Sequence, residues 1–155
     1  MCHVWQEKSP IHECNLPKNK EWSIHGLWPS KNQSWGPVFC DKSTKFVLED
    51  LDSIRSELDV KWVDVFKGNK LGNLWKHEWS KHGTCALNIS SINSQLEYFQ
   101  AGLKLFKKHN LKEILEKVEI RPGNKYDYDD LLSGLKKGLR QDAILVCRKN
   151  KVINY

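Results

Sequence analysis

The chain has 155 residues, 39% of them hydrophobic and 28% charged, a balance ordinary for a globular protein and a length sufficient for one domain with its own core. Its 25 Lys and Arg against 19 Asp and Glu leave a formal net charge of +6, which favours a polyanionic partner through phosphate neutralisation and counterion release. No apolar run approaches a membrane span, and none of the five cysteines forms a CxxC pair, which argues against a zinc knuckle or a thioredoxin-type site.

Residues 1–43 are rich in Pro, Trp, Asn, Lys and Cys and read as loops with short strands. Trp22-Ser23-Ile24-His25 alternates as a short strand does, and Gly26 and Pro29 close it with a turn. Val47, Leu51, Ile54 and Leu58 recur at helical spacing, which predicts a helix over 44–58. A short helix is expected over 73–83. Ile92, Leu96, Phe99, Leu103 and Phe106 form a long apolar stripe, a helix for which Ser90 or Ser91 would serve as N-cap. A second short helix is expected over 111–118, followed by a turn at Pro122-Gly123-Asn124. Leu131, Leu132, Leu135 and Leu139 mark a further helix, with Asp129 and Asp130 in its first turn where the dipole favours acids. The apolar run 143–147 reads as a strand. Helices and strands do not alternate strictly, so the expected fold class is α+β, in one domain spanning 1–155.

Cysteines scattered at positions 2, 14, 40, 85 and 147 look like disulfide partners, which implies an oxidising compartment, with one thiol left over. The sequons Asn32-Gln-Ser34 and Asn88-Ile-Ser90 make Asn32 and Asn88 candidate glycosylation sites and agree with a secretory route. Met1-Cys2-His3 has neither the basic start nor the apolar stretch of a signal peptide, so the reading is of a chain whose leader was removed or of a fragment.

Two segments concentrate the chemistry. They are Ile24-His25-Gly26-Leu27-Trp28-Pro29 and Trp75-Lys76-His77-Glu78-Trp79-Ser80-Lys81-His82-Gly83-Thr84-Cys85. On a helix at about 100° per residue, His77 and Lys81 sit at i,i+4, as do Glu78 and His82, and all four share an arc of roughly 140°. Trp75 and Trp79 point to the other side, where they can anchor the helix in a core. A zinc-protease helix needs His-Glu-x-x-His, whereas here the second histidine falls one residue later and the two imidazoles diverge. A set of imidazoles, a carboxylate and an ammonium without metal suits RNA cleavage, because RNA carries its own nucleophile in the 2′-hydroxyl. Imidazoles near pKa ~6.5 can take that proton and protonate the leaving 5′-oxygen, while fixed cations stabilise the phosphorane.

At these residues the sequence resembles the ribonuclease T2 family. Both segments look like that family's paired active-site motifs, in the right order and at a sensible separation, and weaker similarity covers nearly the whole chain. The resemblance implies a disulfide-bonded fold with a central antiparallel sheet packed against several helices. It also implies a monomeric endoribonuclease, secreted or lysosomal, that cleaves single-stranded RNA through a 2′,3′-cyclic phosphate with no metal, no cofactor and no membrane partner. Position by position, it makes His82 the general base, His25 the general acid and His77 the phosphate holder. Glu78 and Lys81 would stabilise the transition state, and Trp28 would help bind a base. It pairs Cys2 with Cys14 and Cys40 with Cys85, and leaves Cys147 without its usual downstream partner. Against the family pattern both termini look short, and Ser30 stands where many members carry an acid or amide that touches the base.

Two other functional readings accompany this one: a catalytically impaired secreted member that binds RNA or signals, and a basic nucleic-acid-binding module unrelated to cleavage. The remaining aromatic and basic residues have plainer readings. Trp5, Trp35 and Trp62 read as packing, His3, His12 and His109 as surface or loop, and Lys104–Lys108 as the solvated face of an amphipathic helix.

Overall fold

A computed structural model describes residues 6–7, 9, 11–17, 21–30 and 36–146. The chain forms two compact units, residues 1–105 and 106–155.

The first unit is built around tryptophans. A 3₁₀ helix, Glu49–Ile54, runs directly into helix α1, Arg55–Lys61, where one continuous helix over 44–58 was expected. The break falls at Ile54, whose φ of −121° leaves helical geometry. Val47 lies ahead of both pieces, and its N–H and C=O are bonded to the Gln95 side-chain amide at 3.0 and 2.6 Å. Helix α2, Asn73–Lys81, begins after Gly72, whose φ of +77° suits glycine, and is followed by the 3₁₀ turn Gly83–Ala86.

Helix α3, Gln95–Lys108, starts later than the stripe suggested. Ser94, rather than Ser90 or Ser91, takes the capping position. Its Oγ accepts from Glu97 N–H at 3.3 Å and bonds the Glu97 carboxylate at 3.0 Å, half of a capping box. Leu51, Leu58, Trp62, Trp75, Trp79, Ala86, Tyr98, Phe99 and Leu103 form the buried core of this unit. Trp75 and Trp79 are both in it, so α2 is anchored through that pair.

The second unit contains helix α4, Leu111–Glu116, capped by the Asn110 side chain on Glu113 N–H, and helix α5, Tyr128–Leu139, with Asp129 and Asp130 in its first turn. Leu115, Ile120 and Leu135 are its buried apolar residues. Among the described residues no helix is long and apolar enough to cross a membrane.

The expected α+β class with a central antiparallel sheet is overturned. Among the described residues the regular elements are helices, and the only strand-like pairing is an isolated antiparallel bridge between Cys14 and Phe66. The segment 22–25 forms no strand. Ile24 N–H donates 2.7 Å to the carbonyl of Lys61 at the end of α1, which is one bond to a helix terminus and not a ladder. Residues 143–146 form none either, and Ile144 and Val146 are each 77% exposed. Apolar alternation encodes which side of a segment is buried, not whether a second strand lies alongside to take its N–H and C=O groups. Cys147, the last residue of that expected strand, lies outside the described residues.

Candidate acid–base site

The site is made where the loop 24–28 meets the C-terminal half of α2. The loop belongs to no helix or strand, and besides the backbone bond from Ile24 to Lys61 it is held by side chains from the core. The Trp62 indole N–H donates 2.9 Å to the carbonyl of His25, and the Tyr98 hydroxyl donates 2.7 Å to the carbonyl of Leu27. Both donors are fully buried.

From α2, Glu78 points inward rather than to solvent. It is 1% exposed, although the helical-face reading put it beside solvated neighbours. Its Oε2 accepts 2.8 Å from the Trp28 indole N–H, and its Oε1 lies 3.6 Å from His25 Nε2. Gly26 is what lets the loop pass so close, because a Cβ there would land on Glu78 Oε2 and Trp28 Nε1. Burial raises the Glu78 pKa, and the Trp28 hydrogen bond and the Lys81 charge partly offset this.

Helix α2 ends at Lys81, one residue short of His82, which sits at the C-cap with φ −120°. Its N–H still bonds Glu78 C=O at 2.9 Å, so the ring swings off the helix face while the backbone holds it in place. Trp28 joins the two segments. His82 stacks on its indole at 5.2 Å between centroids and 29° between planes, while His25 meets the same indole edge-on at 5.2 Å and 78°. His82 keeps 7% of its surface open to solvent, and His25 is well exposed.

The electrostatics follow from this crowding. Burial first, then the positive charges of Lys81, His77 and His25, push His82 down to about 4. Burial likewise lowers His25, with His77 and Lys81 adding to it, and lowers His77, with Lys81 adding to it. Lys81 therefore acts on all three imidazoles and on Glu78.

The far side of Lys81 is also tied down. Phe39 N–H donates 2.8 Å to its carbonyl, and Cys40 is joined to Cys85 by a disulfide with 5.0 Å between Cα atoms. Cys14 is also disulfide-bonded. The pairing expected for it, with Cys2, and the candidate glycosylation site Asn32 both lie outside the described residues, as do Trp5, Trp35 and His3.

A cavity of about 520 Å³ opens beside His25 and His77, with Asp64, Asn69, Asn73 and Phe66 in its wall. The Asp64 carboxylate is held by Phe66 N–H at 3.0 Å and by the Asn69 amide at 2.9 Å. Sequence reasoning missed these three polar residues. Asn73 could have been found, since it precedes His77 by one helical turn. Asp64 and Asn69 sit on an irregular loop that no period marks.

Two imidazoles against one indole, a buried carboxylate bonded to that indole and an ammonium acting on the whole group gather side chains able to give and take protons in one place. More particularly, the chain belongs to the ribonuclease T2 family, whose sequence profile matches residues 1–155. Ribonuclease Oy from Magallana gigas is 37% identical over 133 residues, covering 84% of this chain and 62% of that one. Ribonuclease T2 from Homo sapiens is 36% identical over 127 residues, covering 79% and 47% respectively. Among solved structures, human RNase T2 superposes with a TM-score of 0.68 at 37% identity, covering 76% of this chain and 58% of that one. RNase NT in complex with 5′-AMP superposes with a TM-score of 0.73 at 29% identity, covering 89% and 69%. The chain thus spans about half to three-fifths of the length of the curated relatives named here.

Proposed function

We propose that this chain is an endoribonuclease that cleaves single-stranded RNA by acid/base transesterification, without a metal, through a 2′,3′-cyclic phosphate. The observation that carries the reading is the convergence of His25 and His82 on Trp28, with Lys81 acting on both.

His82 is the general base. An imidazole pushed down to about 4 is neutral above that pH and ready to take the 2′-hydroxyl proton. The freed 2′-oxygen attacks phosphorus, and negative charge gathers on the non-bridging oxygens. Lys81, with the protonated form of His77, stabilises that charge, because donors fixed in advance cost no reorganisation as it develops. His25 is the general acid that protonates the departing 5′-oxygen. Glu78 holds Trp28 and faces His25, and Trp28 offers its open side to a base. The cavity beside His25 and His77 has room for a nucleobase and offers the Asp64 carboxylate to exocyclic N–H groups.

A secretory destination, extracellular or lysosomal, goes with this reading. The Cys40–Cys85 disulfide is at home in an oxidising compartment, and Asn88 of the second sequon is exposed.

The test is incubation with total RNA in EDTA. The wild-type chain should degrade it. His82→Ala and His25→Ala should each lose roughly 10²–10⁴-fold, the usual worth of a positioned acid or base. Full activity in His82→Ala, or none in the wild type, would refute the assignment.

A further inference from the structure

The core tryptophans are linked by hydrogen bonds as well as by packing. The Trp75 indole N–H donates 2.9 Å to the Trp62 carbonyl, and the Trp62 indole N–H donates 2.9 Å to the His25 carbonyl. Trp75 belongs to α2, which also carries His77, Glu78 and Lys81, whereas His25 lies on a loop with no secondary structure of its own. One residue therefore links the two halves of the site, its main-chain carbonyl held by α2 and its indole N–H holding the loop. It has little freedom to move. Trp62 is 0% exposed, its ring meets Phe99 edge-on at 5.0 Å, and Gly102 of α3 is bare directly against it, so that a Cβ there would enter the ring.

We infer that Trp62 is a positioning residue: its indole N–H fixes the His25 backbone relative to α2 and so sets where the His25 imidazole stands against the leaving oxygen. This rests on the reading of His25 as the general acid. The physical argument is that a loop carbonyl bonded to a fully buried, ring-packed donor cannot drift without leaving both groups unpaired in the core. A drift of about an ångström at a proton donor costs on the order of a hundredfold in rate. Packing alone would be served by any large apolar ring at position 62. The hydrogen bond to the loop requires the N–H.

Trp62→Phe keeps an aromatic ring and removes the donor. On a dinucleoside monophosphate, kcat should fall about ten- to a hundredfold with KM nearly unchanged, and the basic limb of the pH–rate profile should move. In an NMR titration the His25 imidazole should shift its midpoint while His77 keeps its own. Leu103→Ala is the comparison, since it weakens the same core and removes no hydrogen bond to the loop. At a temperature where it remains folded, kcat, the profile and the His25 titration should match wild type. If Trp62→Phe does not fold, benzothienylalanine at position 62 keeps the shape of the indole and lacks only the N–H.

Wild-type kcat and an unmoved His25 titration in the donor-free variant would overturn the inference. So would Leu103→Ala reproducing its losses. The titration needs no turnover, so an inactive wild-type chain whose His25 still responds to position 62 would sink the general-acid assignment and leave the positioning intact.

Discussion

At the scale of single residues, the state of each proton follows from burial and from Lys81. In the proposed mechanism the general base must be neutral and the general acid protonated at once. His82, held at about 4, is neutral above that pH, while His25, lowered from 6.5 by burial and by nearby positive charge, is protonated only below its reduced value. The kcat/KM profile should therefore be a bell whose acid limb falls near pH 4 and whose basic limb lies below pH 6.5, measurable on a dinucleotide substrate. Lys81→Met should move both limbs of the bell to higher pH, since the ammonium lowers His82 as well as His25.

Gly26 is the other decisive residue. Gly26→Ala places a methyl group on the Trp28–Glu78 hydrogen bond and leaves a buried carboxylate without that partner. A loss of about 2 kcal/mol by urea denaturation is expected, together with a fall in activity. An alanine variant with wild-type stability would mean that the loop does not need this close approach.

At the scale of elements, α2 is fixed at both ends by different means. Its N-terminal half is anchored by Trp75 in the core and its C-terminal half by the loop at 39–40. The disulfide there joins residues 45 apart in sequence, and a closed loop of that length constrains the unfolded chain by about 4 kcal/mol in the chain-entropy account. Cys40→Ser with Cys85→Ser should lower stability by up to that amount in equilibrium urea unfolding, with activity lost in parallel because Lys81 and His82 precede the bridge directly. If stability is unchanged, the bridge does not contribute to holding the end of α2. The start of α3 teaches a related lesson. Ser90, Ser91 and Ser94 are all chemically able to cap, and the choice of Ser94 follows from where Glu97 can reach back to it.

At the scale of the whole molecule, the net positive charge and the site make separable demands on a nucleic acid. Charge attracts any polyanion and weakens with salt, whereas the chemistry needs a 2′-hydroxyl. Single-stranded DNA of the same sequence should bind comparably, compete with RNA at low salt and remain uncut on a denaturing gel. Cleavage of DNA would exclude a mechanism that takes its nucleophile from the substrate. Each compact unit has its own buried apolar residues, and the site is described entirely within residues 1–105.

The residues that the structure gathers at the site were legible in the two short segments, since His25, Trp28, Glu78 and His82 all come from them. The helices at 95–108, 111–116 and 128–139 were legible in outline, since an apolar period of 3.6 is a local property of the chain. Family membership was legible in the same motifs. Only the tertiary structure decided that Glu78 turns inward to Trp28, that His82 leaves the helix to stack on that indole, and that Trp62 serves the loop as well as the core. These depend on partners 37 to 54 residues away along the chain, which no local pattern encodes. The strands expected at 22–25 and 143–147 failed for the same reason. Pairing is decided by what lies alongside a segment, and a short apolar alternation is silent on that.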